Sequence, residues 1–91
     1  MVGILGGKRH MNALIKKHIR LEVEGAPQTA RLADSAVPVW ALIGLYKNLH
    51  DVQAVAGDYD VPDEAVQAAV AFYEQPEVRP VIDAKLAVAA S

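Results

Sequence analysis

Apolar and polar residues alternate cleanly only once along this chain. The run HIRLEVE from His18 puts Ile19, Leu21 and Val23 on one side and Arg20, Glu22 and Glu24 on the other, and a period of two marks a half-buried strand. GAPQ follows, with Gly25 free to take positive φ and Pro27 unable to extend a ladder, which predicts a turn. TARLA then offers a second strand with Ala30 and Leu32 on one side, completing a small β-hairpin. Such a hairpin is marginal in water and needs helices to pack on.

Beyond the hairpin the period changes to that of helices. Asp34 or Ser35 can cap the next one, and Pro38 suits its first turn. VPVWALIGLYKNL is apolar nearly all round, with Val39, Ile43 and Tyr46 on one face and Trp40, Leu42 and Leu49 beside it; such a helix is buried on several sides. Asp51 caps a short helix whose Val52, Val55, Ala56 and Tyr59 recur at helical spacing. Pro62, Asp63 and Glu64 then open another, the acids complementing its positive end. Val66, Ala69, Val70 and Tyr73 form its stripe, and Pro76 ends it. A last helix starts at Pro80, with Val78, Ile82 and Leu86 in line. The plan is α+β, mostly helical: a hairpin, then about four helices. Residues 1–17 read as a basic, partly disordered N-terminal arm and 18–91 as one domain, with Met11 an alternative start.

Composition sharpens this plan. Ninety-one residues make one small domain, yet 53% are hydrophobic and the mean hydropathy is +0.16. Much of the excess is Ala and Val, which predicts close helix packing or a buried partner surface. No apolar run has the length of a membrane span, and MVGILGGKRHMN is no signal peptide because its charges follow a short apolar stretch. A cytoplasmic location is the default. With no cysteine there is no disulfide framework, thiolate chemistry or Cys-based zinc site.

Charge is divided along the chain. Residues 1–31 carry six cations (Lys8, Arg9, Lys16, Lys17, Arg20 and Arg31) against Glu22 and Glu24, a net of +4. Residues 32–91 carry three cations against nine acids, a net of −6, so the whole chain stands at −2. Such asymmetry marks a basic arm for nucleic acid or an acidic partner, or a chance scatter of surface charge.

Catalytic chemistry finds no foothold. His10, His18 and His50 are scattered, without HExxH or paired-carboxylate spacing. Apart from tyrosines, the hydroxyls are Thr29, Ser35 and Ser91, and a helix cap explains Ser35. GILGGKR lacks the spacing of a phosphate loop. No cofactor or metal is expected.

The stretch GDYDVPDEAVQAAVAFYEQ has the look of the second half of a helix-turn-helix, but it contains no Lys or Arg. Groove reading needs Arg, Lys, Asn or Gln at base edges, and affinity needs phosphate neutralisation. Between Lys47 and Arg79 lie seven acids, Asp51, Asp58, Asp60, Asp63, Glu64, Glu74 and Glu77, with Gln67 the one exposed base-reading type within the helix and Gln75 at its end. DNA contact therefore falls to Lys8, Arg9, Lys16, Lys17 and Arg20, which also read as a solvated tail. The expected partner or dimer surface is aromatic, Trp40, Tyr46, Phe72 and Tyr73, beside smooth Ala68, Ala69 and Ala71.

From Ile19 to about Leu86 the chain resembles the family catalogued as domain of unknown function 433. ARLADSAVPVWALI is similar to its R-I-A-G-T-R-I-P-V and following apolar helix, GDYDVPDEAVQAAVAFYEQ to its DYP-x-L-T-x-E-D-V-x-A-A-L-A-Y-Y, and VIDAKL to its closing E-I-D-A. Pro38-Val39-Trp40, Asp58-Tyr59, Ala68, Ala69 and Tyr73 match position by position. The resemblance implies a hairpin with a homeodomain-like helix-turn-helix, and an antitoxin of the VapB type that pairs with a PIN-domain ribonuclease toxin and binds operator DNA as a dimer. Two departures bear on this. Asp34-Ser35-Ala36 stands where the family has Gly-Thr-Arg, and the glycine-rich turn is reduced to Gly25-Ala26-Pro27. No long toxin-threading tail follows the last helix. An adaptor that keeps the fold without DNA is the alternative.

Overall fold

The computed structural model describes residues 12–90. Residues 12–18 form helix α1, which runs straight into strand β1 (Ile19–Leu21). A loop with a 3-10 turn (Pro27–Thr29) leads to β2 (Ala30–Leu32), antiparallel to β1 with Ile19 opposite Leu32, Arg20 opposite Arg31 and Leu21 opposite Ala30. Helices α2 (Val39–Leu49), α3 (Val52–Tyr59), α4 (Asp63–Tyr73) and α5 (Arg79–Ala90) complete an α+β chain that is mostly helical.

The hairpin is shorter than its alternation predicts. Strand pairing stops at Leu21, and Val23 beyond it is exposed. The reason lies in the loop, which makes its own hydrogen bonds. The Thr29 hydroxyl accepts from the Val23 N–H (3.0 Å) and donates to the Ala26 carbonyl (2.7 Å), closing a turn that Gly25 enters at φ 78°. Ala30 and Leu32 face inward as the sequence predicts, both nearly inaccessible.

Neither Asp34 nor Ser35 caps α2. The chain after Leu32 folds into a tight turn in which the Ala36 N–H reaches the Leu32 carbonyl (2.9 Å) and Ala36 sits at φ 61°. The helix then starts at Val39 with Pro38 as its cap residue, and the Pro38 carbonyl accepts from Ala41 and Leu42. Proline pre-sets the backbone here, where its missing donor is not needed.

Helix α2 is the hub, its Val39, Leu42 and Ile43 fully buried and packed by β2, α3, α4 and α5. Val55 and Ala56 from α3, Ala65, Val66, Ala69 and Phe72 from α4, and Val78 and Ile82 from α5 close the core around it. Asp51 caps α3 as predicted, accepting from the N–H groups of Gln53 (2.9 Å) and Ala54 (3.2 Å). Asp51→Ala leaves those two donors without a protein partner, and urea unfolding will show a loss of about 1 kcal/mol. Asp60 ends α3 in the left-handed region, and its N–H returns to the carbonyls of Ala56 and Gly57. Asp is among the few non-glycine residues that enter this region readily. With Val61 and Pro62 it makes the three-residue turn between α3 and α4, an order of elements compatible with a helix-turn-helix.

Candidate nucleic-acid and partner surfaces

Helix α4 is the second helix of the α3–turn–α4 pair, and its burial pattern fixes what it can present. Ala65, Val66, Ala68, Ala69 and Phe72 face inward. The alanines expected to offer a smooth docking surface are thus largely consumed inside, Ala68 and Ala69 at 0% exposure. What remains outside is Asp63, Glu64, Gln67 and Glu74, with no cation on the helix. Carboxylates set toward a duplex repel its phosphates, so this face is ill suited to groove reading.

The basic residues gather elsewhere. Lys8 and Arg9 lie outside the described residues. Lys16 and Lys17 do not belong to a loose arm: they sit on α1, which docks through buried Leu14 and through Ile15 packed against the core. Arg20 follows on β1, exposed, and the strand register sets Arg31 directly opposite it. Like charges facing across strands repel, and Glu22 offsets this by pairing with Arg31, whose Nη1 also donates to the Ala36 carbonyl (2.9 Å). Arg31 is thus a member of the basic surface that the sequence reading leaves out; the signal is the hairpin register itself. Lys16 and Arg20 have no ion-pair partner among the described residues.

Glu64 joins the two surfaces. Its Oε2 lies 2.6 Å from His18 Nε2 and 3.2 Å from Lys17 Nζ. The His18 hydrogen bond, and then the Lys17 ammonium, hold the Glu64 carboxyl below the usual range.

A second polar cluster braces α2, α4 and α5. The Lys47 ammonium (2.7 Å) and the Tyr73 hydroxyl (2.7 Å) both donate to Asp83 Oδ1. Lys47 and Arg79 each stand 5.3 Å from the Tyr73 ring centroid. The Lys47 and Tyr73 hydrogen bonds lower the Asp83 carboxyl, and the same Asp83 contact raises Lys47. The signs give a pH dependence. For Glu64 and Asp83 the stabilisation is complete above their unfolded values of about 4 and is lost as pH falls through the depressed folded values. For Lys47 it is complete below about pH 10 and is lost on further rise. Unfolding followed from pH 6 to 2 will show stability falling in acid, and Asp83→Asn will flatten part of that fall.

The four aromatics expected at a partner surface do not lie together on one exposed face. Phe72 belongs to the core at 7% exposure, because the inward stripe of α4 includes position 72. Tyr73 is covered by Lys47, Arg79 and Asp83, while half-buried Trp40 carries Lys85 5.3 Å from its centroid. Half-buried Tyr46 meets His50 edge-on. An outward apolar surface lies along α5. Pro80, Val81, Ala84 and Val88, with Gln28 and Lys85, line an open groove of about 450 Å³, and Val88 is 71% exposed.

Among the described residues no cluster of His, Asp or Glu could hold a metal ion, and no helix is long and apolar enough to cross a membrane. No family model, no curated protein and no solved structure matches the chain.

Proposed function

We propose that this chain is a small non-enzymatic helix-turn-helix protein of antitoxin type. It works in the cytoplasm as a homodimer through protein–protein contact, and it meets DNA through the basic residues of α1 and the hairpin. The observation that carries the DNA half is the division of charge. Helix α4, in the reading position, has an acidic outer face, whereas Lys16, Lys17, Arg20 and Arg31 lie on α1 and the hairpin. Contact by these residues neutralises phosphates without placing carboxylates against them, which favours sequence-tolerant binding with strong salt dependence. The antitoxin half rests on the resemblance to the domain of unknown function 433 family. It is supported by where the matching residues stand: Pro38 and Val39 start α2, Tyr59 ends α3, and Ala68 and Ala69 are buried. The partner of that reading is a PIN-type ribonuclease, with the apolar groove on α5 as a contact surface. Co-expression with the PIN-type ribonuclease nearest to it in the genome tests this directly. A stable complex, weakened by Val88→Asp, is the expected result, and separate elution of the two proteins refutes the pairing.

One observation favours a second reading. The groove on α5 is lined mainly by apolar side chains, which suits an adaptor that keeps the scaffold and binds only protein. This reading predicts no salt-dependent DNA binding at all.

A further inference from the structure

The contact among Lys17, His18 and Glu64 ties the basic element to the start of the helix in the reading position. Both nitrogens reach the same carboxylate oxygen, but from different depths. The His18 side chain is 12% exposed, that of Glu64 47% and that of Lys17 69%. His18 therefore fixes the carboxylate from the inside, while Lys17 reaches it from the solvent side on a flexible stem. Lys17 can leave Glu64 by side-chain rotation alone, with α1 still docked through Leu14 and Ile15.

We propose that Glu64 is the resting occupant of a phosphate-contact site centred on Lys17. A nucleic-acid backbone displaces this internal competitor, and His18 is the residue that positions it. The inference rests on the DNA reading above and adds to it a specific cation and a built-in brake. The chemistry is competition between two anionic oxygens for one ammonium, so binding must first release the internal pair. An exposed pair restrains binding by about two- to five-fold. The surroundings supply a control. Asp63 stands beside Glu64 in the same helical turn, exposed and without an ion pair among the described residues. It repels phosphate as any carboxylate does, but it occupies no cation. Asp34 and Asp60, around the pocket that His18 lines, act in the same general way.

The test is fluorescence anisotropy of a labelled duplex over a salt series from about 50 to 200 mM, comparing wild type with Glu64→Gln, Asp63→Asn and Lys17→Gln/Glu64→Gln. Each is a surface change, with folding checked by circular dichroism. Glu64→Gln will bind about two- to five-fold tighter at low salt, with a wild-type salt slope, because Lys17 meets the same phosphate without first leaving a carboxylate. Asp63→Asn will keep close to wild-type affinity, and adding Lys17→Gln will cancel the gain of Glu64→Gln. Equal gains for Glu64→Gln and Asp63→Asn, with wild type still binding, overturn the competition and leave the DNA reading standing. Failure of both wild type and Glu64→Gln to bind at the lowest salt overturns the DNA reading and this inference with it.

Discussion

Replacing Leu42 with alanine will lower the unfolding free energy by about 3–4 kcal/mol. Leu42 lies in the middle of α2, at 0% exposure, in the cluster to which β2, α3, α4 and α5 all contribute. Deleting its isobutyl group removes apolar burial and leaves a cavity that four surrounding elements cannot all move to fill. A domain of this size has on the order of 5–10 kcal/mol in total, so the variant gives up a large share of it. Thermal unfolding followed by circular dichroism should show a midpoint lower by about 15–20 °C. A loss below about 1 kcal/mol would mean that α2 is not the hub.

Substituting valine at Gly44 will cost about 2 kcal/mol through the opposite fault, overpacking. Gly44 lies on the side of α2 that meets α5, and a Cβ built there comes within 3.0 Å of Leu86 Cδ2. One methyl can be taken up by a small rotation of half-buried Leu86, and alanine recovers about 1 kcal/mol of helix propensity. Gly44→Ala will therefore be close to neutral or slightly stabilising. Valine adds two branched methyls that α5 can accommodate only by moving away. Amide exchange will then quicken across residues 79–90 while α3 and α4 stay protected. Uniform quickening across all helices would instead place Gly44 in the common core.

The helices were legible because their signals are local. Asp51 is a polar cap just ahead of a 3.6-residue stripe, Pro62 with two acids opens α4, and Val78, Ile82 and Leu86 keep one line. Strand β2 was legible for the same reason, since Ala30 and Leu32 alternate with Arg31. What misled was pattern without context. HIRLEVE alternates over seven residues, but the Thr29-closed loop takes its second half out of the ladder. The basic lead-in hid a helix: Leu14, Ile15 and His18 recur at helical spacing, a signal easily lost beside so many charges. Ser35 has cap chemistry, yet a turn bonded from Ala36 to Leu32 intervenes before the helix.

The candidate surfaces were half legible. That α4 is acidic outside follows from its residue types alone, and the grouping of Lys16, Lys17 and Arg20 follows from their closeness in sequence. Arg31 joins them only through strand register, and Glu64 meets Lys17 across 47 positions, which no local pattern reveals. The four aromatics do not share one exposed face, because large side chains in a chain this small are drawn to its own packing. Phe72 is core, and Tyr73 is roofed by two cations.

The central claim is that this scaffold meets DNA with α1 and the hairpin, not with α4. The most direct measurement is duplex binding across a salt series for wild type, Lys16→Gln/Arg20→Gln and Gln67→Ala. The account predicts a slope shallower by about two for the double variant and wild-type binding for Gln67→Ala. Loss of binding on Gln67→Ala, with the double variant unchanged, would contradict it.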